Sequence, residues 1–192
     1  ASKSSDDGIN AGSGDSASNT PRPGGRMDAD EKCVLTINGG NIYINSSGDG
    51  MDSNGYIYIN DGIVIVDGPT RNDNGALDAG ISIVMNGGEL IAIGSNMMAE
   101  NPNPESSIYN ASIYLNETAK ANSEIVIKND AGETIMTHTS AKQFNHIAVA
   151  SSKFEQGKTY TLYLNNKKTD SFTIYNKTTT VGDKFNRNNY RK

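Results

Sequence analysis

Leu35-Thr-Ile-Asn-Gly-Gly-Asn-Ile-Tyr-Ile44, Ile57-Tyr-Ile-Asn-Asp-Gly-Ile-Val-Ile-Val66 and Ile83-Val-Met-Asn-Gly-Gly-Glu-Leu-Ile-Ala92 align residue for residue. Each reads as a strand, an Asn-(Gly/Asp)-Gly corner and a second strand. The corner residues Asn38, Asn60 and Asn86 are 22 and 26 positions apart. A second set lies between them: Asp7-Gly-Ile-Asn10, Asp49-Gly-Met-Asp52 and Asn74-Gly-Ala-Leu-Asp78. Self-similarity at this period, with two or three short strands per period, is the signature of a stacked-repeat fold. Residues 27–98 show no helical 3.6 periodicity, and the strands are too close together for crossover helices. The expected architecture is all-β: a parallel β-helix of about four coils over residues 1–105, stacked about 4.8 Å apart.

Alternation assigns the faces. Leu35 and Ile37 match Ile57 and Ile59, then Ile83 and Met85. Ile42 and Ile44 match Val64 and Val66, then Leu90 and Ala92. These are predicted to stack inside. Tyr43, Tyr56, Tyr58, Ile63, Ile65 and Ile91 then face outward, too much apolar surface to stay wet, so the rest of the chain is expected to cover it. From Ser107 the period vanishes. Strands are predicted at 108–115, 124–128, 133–139, 144–150, 160–165 and 171–175. They make a small antiparallel β domain over 106–176, after a boundary at Asn101-Pro-Asn-Pro-Glu105. Residues 177–192 read as a basic tail or arm, and the Gly/Ser/Pro-rich stretch Ala11–Arg26 as an insertion or loop.

Composition narrows the function. Of 192 residues, 24 are Asn and 20 Gly. No apolar run approaches the ~18 residues of a membrane span. No signal peptide is visible, so the chain reads as cytosolic or already processed. A single cysteine, Cys33, leaves no internal disulfide framework and reads as a small buried hydrophobe. His138 and His146 read as ordinary strand residues. Residues 1–105 carry 15 acidic and 5 basic side chains, whereas residues 106–192 carry 7 acidic and 12 basic ones. The acidic half would repel phosphates, which disfavours nucleic acid. Acid concentrated as Asp beside Asn and Gly suits hard cations.

The sharpest constellation is Gly48-Asp-Gly-Met-Asp-Ser-Asn-Gly55. In a stacked fold Asp7 and Asn10 lie beside Asp49, Asp52 and Asn54, with Asp73, Asn74 and Asp78 on the other flank. Carboxylates stacked about 5 Å apart repel unless a cation sits between them. Ca²⁺ accepts irregular sets of 6–8 oxygens, so these eight residues are its predicted ligands. The other reading of such residues is plain turn formation, to which Asn38, Asn60 and Asn86 are assigned. Tyr43, Tyr56 and Tyr58 either stack on sugar rings or pack beneath the C-terminal strands. Arg71 either grips a sugar carboxylate or is a solvated loop charge.

Taken in order, Asp7-Gly-Ile-Asn10, 35–41, 48–55, Asp67-Gly-Pro-Thr70, 74–78, Gly87-Gly-Glu-Leu-Ile-Ala92 and Gly94-Ser-Asn-Met-Met-Ala99 resemble a family of bacterial extracellular carbohydrate-binding proteins. That family is known for cellulose and polygalacturonate binding. The resemblance covers residues ~6–100. It implies a calcium-containing, right-handed β-helix like that of pectate lyases, secretion to the cell surface, and an acidic, pectin-like polysaccharide as ligand. Lyase chemistry needs a base beside the calcium; none is placed near Asp49 or Asp52, so a non-catalytic binder is expected. The alternative is a structural subunit. The first coil opens without a cap, and the basic tail would complete the next copy head to tail, giving a filament or surface layer.

Overall fold

The computed structural model describes residues 2–12 and 29–184. Most of the predicted Ala11–Arg26 loop, with Arg22 and Arg26, and residues 185–192 of the predicted tail lie outside the described residues. The described residues form fifteen strands and no helix. The protein is all-β, in three sheets of mixed direction.

The repeated segments pair as the alternation requires. β1 (Ser2–Ser4), β3 (Val34–Ser46) and β5 (Tyr56–Asp67) run parallel in the main sheet, and β7 (Ser82–Met85) and β8 (Glu89–Gly94) both pair with β5. Ile44 faces Val66, and Val66 faces Ala92. A second parallel sheet joins β2 (Ile9–Ala11), β4 (Met51–Ser53) and β6 (Leu77–Ala79). Between the two sheets lies one apolar core. Ile44, Met51, Ile57, Ile59, Val64, Val66, Leu77, Met85 and Leu90 fill it, and Leu35 and Ile42 pack at its margin. The inward columns are those read from the sequence.

The corners stack as well. Asn60 donates its side-chain amide to Asn38 (2.7 Å), Asn86 donates to Asn60 (2.8 Å), and the Ser107 hydroxyl donates to Asn86 (3.0 Å). Beside this ladder Gly62 has φ +97°, and a Cβ there would lie 2.6 Å from the Gly40 carbonyl. Only glycine fits so close a backbone approach at that φ.

The C-terminal half departs from the expected layout. β12 (Phe144–Ser151) pairs antiparallel with β8, β9 (Tyr109–Ala119) antiparallel with β12, and β15 (Thr178–Val181) parallel with β9. The main sheet therefore runs β1-β3-β5-β8-β12-β9-β15, straight through the predicted boundary at 105. Part of the predicted tail is a strand of that sheet. Only β10 (Glu124–Asn129), β11 (Thr134–Thr139), β13 (Thr159–Leu164) and β14 (Lys167–Thr173) form a separate antiparallel sheet. It covers the other face of the main sheet. Ile91, Ile93, Ala111, Ile113, Ile147 and Val149 meet Ile125, Ile127, Leu162 and Phe172 in a second core. Ile91 is thus covered by the rest of the chain, as its outward position demanded, whereas Ile63 stays 42% exposed.

Candidate functional site

The middle strand of each repeat in the small parallel sheet reads in-out-in. Met51 and Ser53 point into the core, and Asp52 between them points out, half-buried. Its register partners are Asn10 on β2 and Asp78 on β6. A row Asn10–Asp52–Asp78 therefore crosses three neighbouring strands, with about 4.8 Å between strands. The Asn10 amide donates to Asp52 (2.7 Å) and to Asp7 (3.1 Å). A second row lies in the preceding turns. Asp7 accepts the backbone N–H of Asp49 (2.8 Å), and Asp49 accepts that of Gly75 (2.5 Å). Five of the eight predicted ligands, Asp7, Asn10, Asp49, Asp52 and Asp78, thus stand in two adjoining rows.

The other three are placed differently. Asn54 is buried at the end of β4, and Asn74 is half-buried just before Gly75. Asp73 is exposed and taken by Arg71 in a bidentate pair (3.1 and 2.5 Å). That pairing holds the Asp73 carboxyl below its ordinary range, the Arg71 hydrogen bond being the main cause. Arg71 spends its guanidinium on a neighbour two residues away.

Electrostatics mark the rows. Asp49 and Asp52 are each pushed up to about 6. Burial contributes most, then the charges of Asp78 and Asp7 on both, with Asp52 also acting on Asp49; the Gly75 N–H opposes the rise at Asp49. Among the described residues, no group of three or more His, Cys, Asp or Glu side chains converges as a metal-holding set. The donor chemistry nevertheless suits a hard cation. The groups are carboxylates and amides only, they repel one another at neutral pH, and the Asn10 amide already bridges Asp7 and Asp52 as a partial positive charge.

The tyrosines divide. Tyr56 and Tyr58 stack on each other, ring centroids 5.5 Å apart and planes 18° apart, on the outer face of β5. They follow Asp52 in the chain by one corner, Ser53–Gly55, which leads from the small parallel sheet into the main one. Tyr43 instead packs towards the C-terminal half. Its hydroxyl donates to Asp67 (2.8 Å), and its ring lies 6.2 Å from that of His138. Burial, then Asp67, pushes its phenol up to about 12.

Asp67 is the buried polar centre that the sequence did not reveal. It is 0% exposed, and its carboxylate accepts His138 Nε2 (2.7 Å), Tyr43 Oη and the Ala141 N–H (2.9 Å). Burial pushes it up, but the bonds from His138, Ala141 and Tyr43 together outweigh burial and hold it below the ordinary range. Lys142, one residue on, donates to the carbonyls of Ser46 and Gly68. Asp67-Gly-Pro reads locally as a turn, so only a partner 71 positions away could have exposed the role of this residue. This hub fastens β5 to β11 and has no open face for a ligand.

No protein-family model, no curated protein and no solved structure matches this chain.

Proposed function

We propose that the chain is a non-catalytic extracellular module that binds an acidic polysaccharide through Ca²⁺, built on a short right-handed parallel β-helix. The observation that carries the reading is the in-register row Asn10–Asp52–Asp78 beside Asp7 and Asp49, with the Asp49 and Asp52 carboxyls pushed up to about 6. Carboxylates held together at that penalty gain most from a divalent cation. Asp7, Asp49, Asp52 and Asp78 would hold it, with Asn10 turning its amide oxygen inward. A cation so placed would neutralise the rows and offer its remaining coordination sites to a uronate carboxylate. Tyr56 and Tyr58, one corner further along the chain, would supply a flat apolar surface for a sugar ring. Secretion and the pectin-like class of glycan rest on the family resemblance given above.

The test is calorimetric titration of polygalacturonate into the full chain with Ca²⁺ and with EGTA. Binding is expected with calcium only. Asp52→Asn with Asp78→Asn should abolish it, and Tyr58→Ala should weaken it about tenfold with calcium binding intact. Equal binding in EGTA sinks the calcium role; calcium binding with no affinity for any uronate polymer sinks the glycan.

One observation favours the alternative reading, a filament subunit. On the β1 side only Ile44–Ser46 of the thirteen-residue β3 is paired among the described residues, and Val34 is 45% exposed. An open edge of this length can accept a strand from another copy. Sedimentation across a hundredfold concentration range with calcium present tests this; a single monomeric species rules it out.

A further inference from the structure

The C-terminal segment does more than add a strand. β15 is four residues long, parallel, and at the edge of the main sheet. Three side chains from this segment hold three backbone carbonyls of residues 99–107. The Lys177 ammonium donates to Ser107 (2.5 Å), the Thr178 hydroxyl to Pro102 (3.1 Å) and the Lys184 ammonium to Ala99 (3.2 Å). Segment 99–107 in turn closes the end of the first core. The Asn103 and Ser107 N–H groups donate to the carbonyls of Ile83 and Met85, and the Ser106 hydroxyl accepts the Met85 N–H.

Beneath this closure sits Asn110, the register partner of Thr178. Asn110 is 0% exposed, and neither its Nδ2 nor its Oδ1 has a hydrogen-bond partner among the described residues. Two residues along the same face of β9, Ser112 is bonded to His146 (2.8 Å), and both are buried. Burial drives the His146 imidazole down to about 3, so it is neutral. A buried amide with donor and acceptor both unmet opposes the closed state, because opening lets water satisfy it. The strap itself is tied by two lysines, one threonine and a short parallel edge ladder, all at the weak end of their kinds, and segment 99–107 adds its bonds to Ile83, Met85 and Asn86.

We propose that residues 177–184 are a releasable strap. The strap and segment 99–107 open together while the ladders β3-β5-β8 and β2-β4-β6 stay folded, uncovering Asn110 and the whole β9 edge from Tyr109 to Ala119. Half of that edge, Tyr114–Ala119, already lines an open cleft of about 640 Å³ against Lys167 and Asp170 of β14. Release of the strap would make the rest continuous with it. A sub-global opening of this kind has its own free energy, separable from global unfolding.

Native-state hydrogen exchange on the full chain tests it. The amides of 99–107 and 176–184, with those of 108–114 that face β15, should exchange at one common rate, at least tenfold faster than 57–66 and 89–94. Asn110→Leu, which removes the unmet amide at similar volume, should slow that common rate at least fivefold. Thr178→Val, on the strap itself, should speed exchange of 99–107 at least threefold and leave 57–66 unchanged; it carries the test should Asn110→Leu fail to fold. Three unrelated rates, or an Asn110→Leu chain exchanging as fast as or faster than the parent, would overturn the strap. So would a Thr178→Val chain with unchanged exchange at 99–107.

Discussion

His138 Nε2 on β11 lies 2.7 Å from the Asp67 carboxylate on β5, and with it the antiparallel sheet is fastened to the repeated strands. Neither side chain is free to leave. Asp67 is wholly enclosed, and the His138 side chain is 10% exposed. Removing His138 leaves a buried carboxylate short of one hydrogen bond.

His138→Ala is therefore expected to destabilise the fold by about 2–3 kcal/mol. Urea unfolding of the two chains measures it; a loss below about 1 kcal/mol would show that Tyr43 and Ala141 suffice to hold Asp67.

Two classes of carboxyl should give the metal-free chain an unusual pH profile. Asp67 lies below its ordinary range, so its stabilisation is present above the ordinary value of 3.8 and is lost as pH falls through its folded value. Asp49 and Asp52 are raised from 3.8 to about 6, so folding favours their protonated forms. Their effect has the opposite sign: most favourable below 3.8, and lost as pH rises through about 6. After screening, each contributes on the order of 1 kcal/mol. In EDTA the melting temperature should peak near pH 4 and decline as pH rises through about 6. Millimolar Ca²⁺ should remove that decline, and a profile identical with and without calcium would contradict the cation role.

The asparagine ladder predicts a graded series. Asn60 makes two ladder bonds and Asn38 one. Asn60→Ala is expected to cost about 1 kcal/mol and Asn38→Ala about half that, both bonds being at the surface. Equal losses in parallel urea titrations would mean that the ladder contributes nothing beyond the local corner.

One continuous sheet should melt once. Because β8, β12 and β9 pair in sequence, the main sheet runs unbroken from one half into the other. Calorimetry is expected to show one heat-absorption peak with calorimetric and van't Hoff enthalpies in agreement. Two resolved peaks would restore the boundary at 105.

Local pattern carried much of this fold. Alternation placed Ile57, Ile59, Val64 and Val66 inside, and repeat spacing put Asn10, Asp52 and Asp78 in one row, because both are decided within a strand or by the stacking period. Pairing between distant strands was not legible. Both faces of β9 are buried, Ala111 and Ile113 on one side and Asn110 and Ser112 on the other, so its sequence does not say which sheet it joins. β15 did leave a signal, the β-branched run Thr178-Thr-Thr-Val181, but the surrounding basic charge reads as a tail. Asp67 and His138 were invisible because each looks ordinary beside its chain neighbours.

The unequal spacing of the repeats has a use. Ile44 faces Val66 and Met51 faces Leu77, yet the first path takes seven steps and the second eleven. Residues 70–73, all exposed, take up the four additional steps without disturbing either ladder. The turn is thus a natural graft point, where an epitope, a tag or a second binding loop can be inserted at a loop-closure cost that grows only slowly with length.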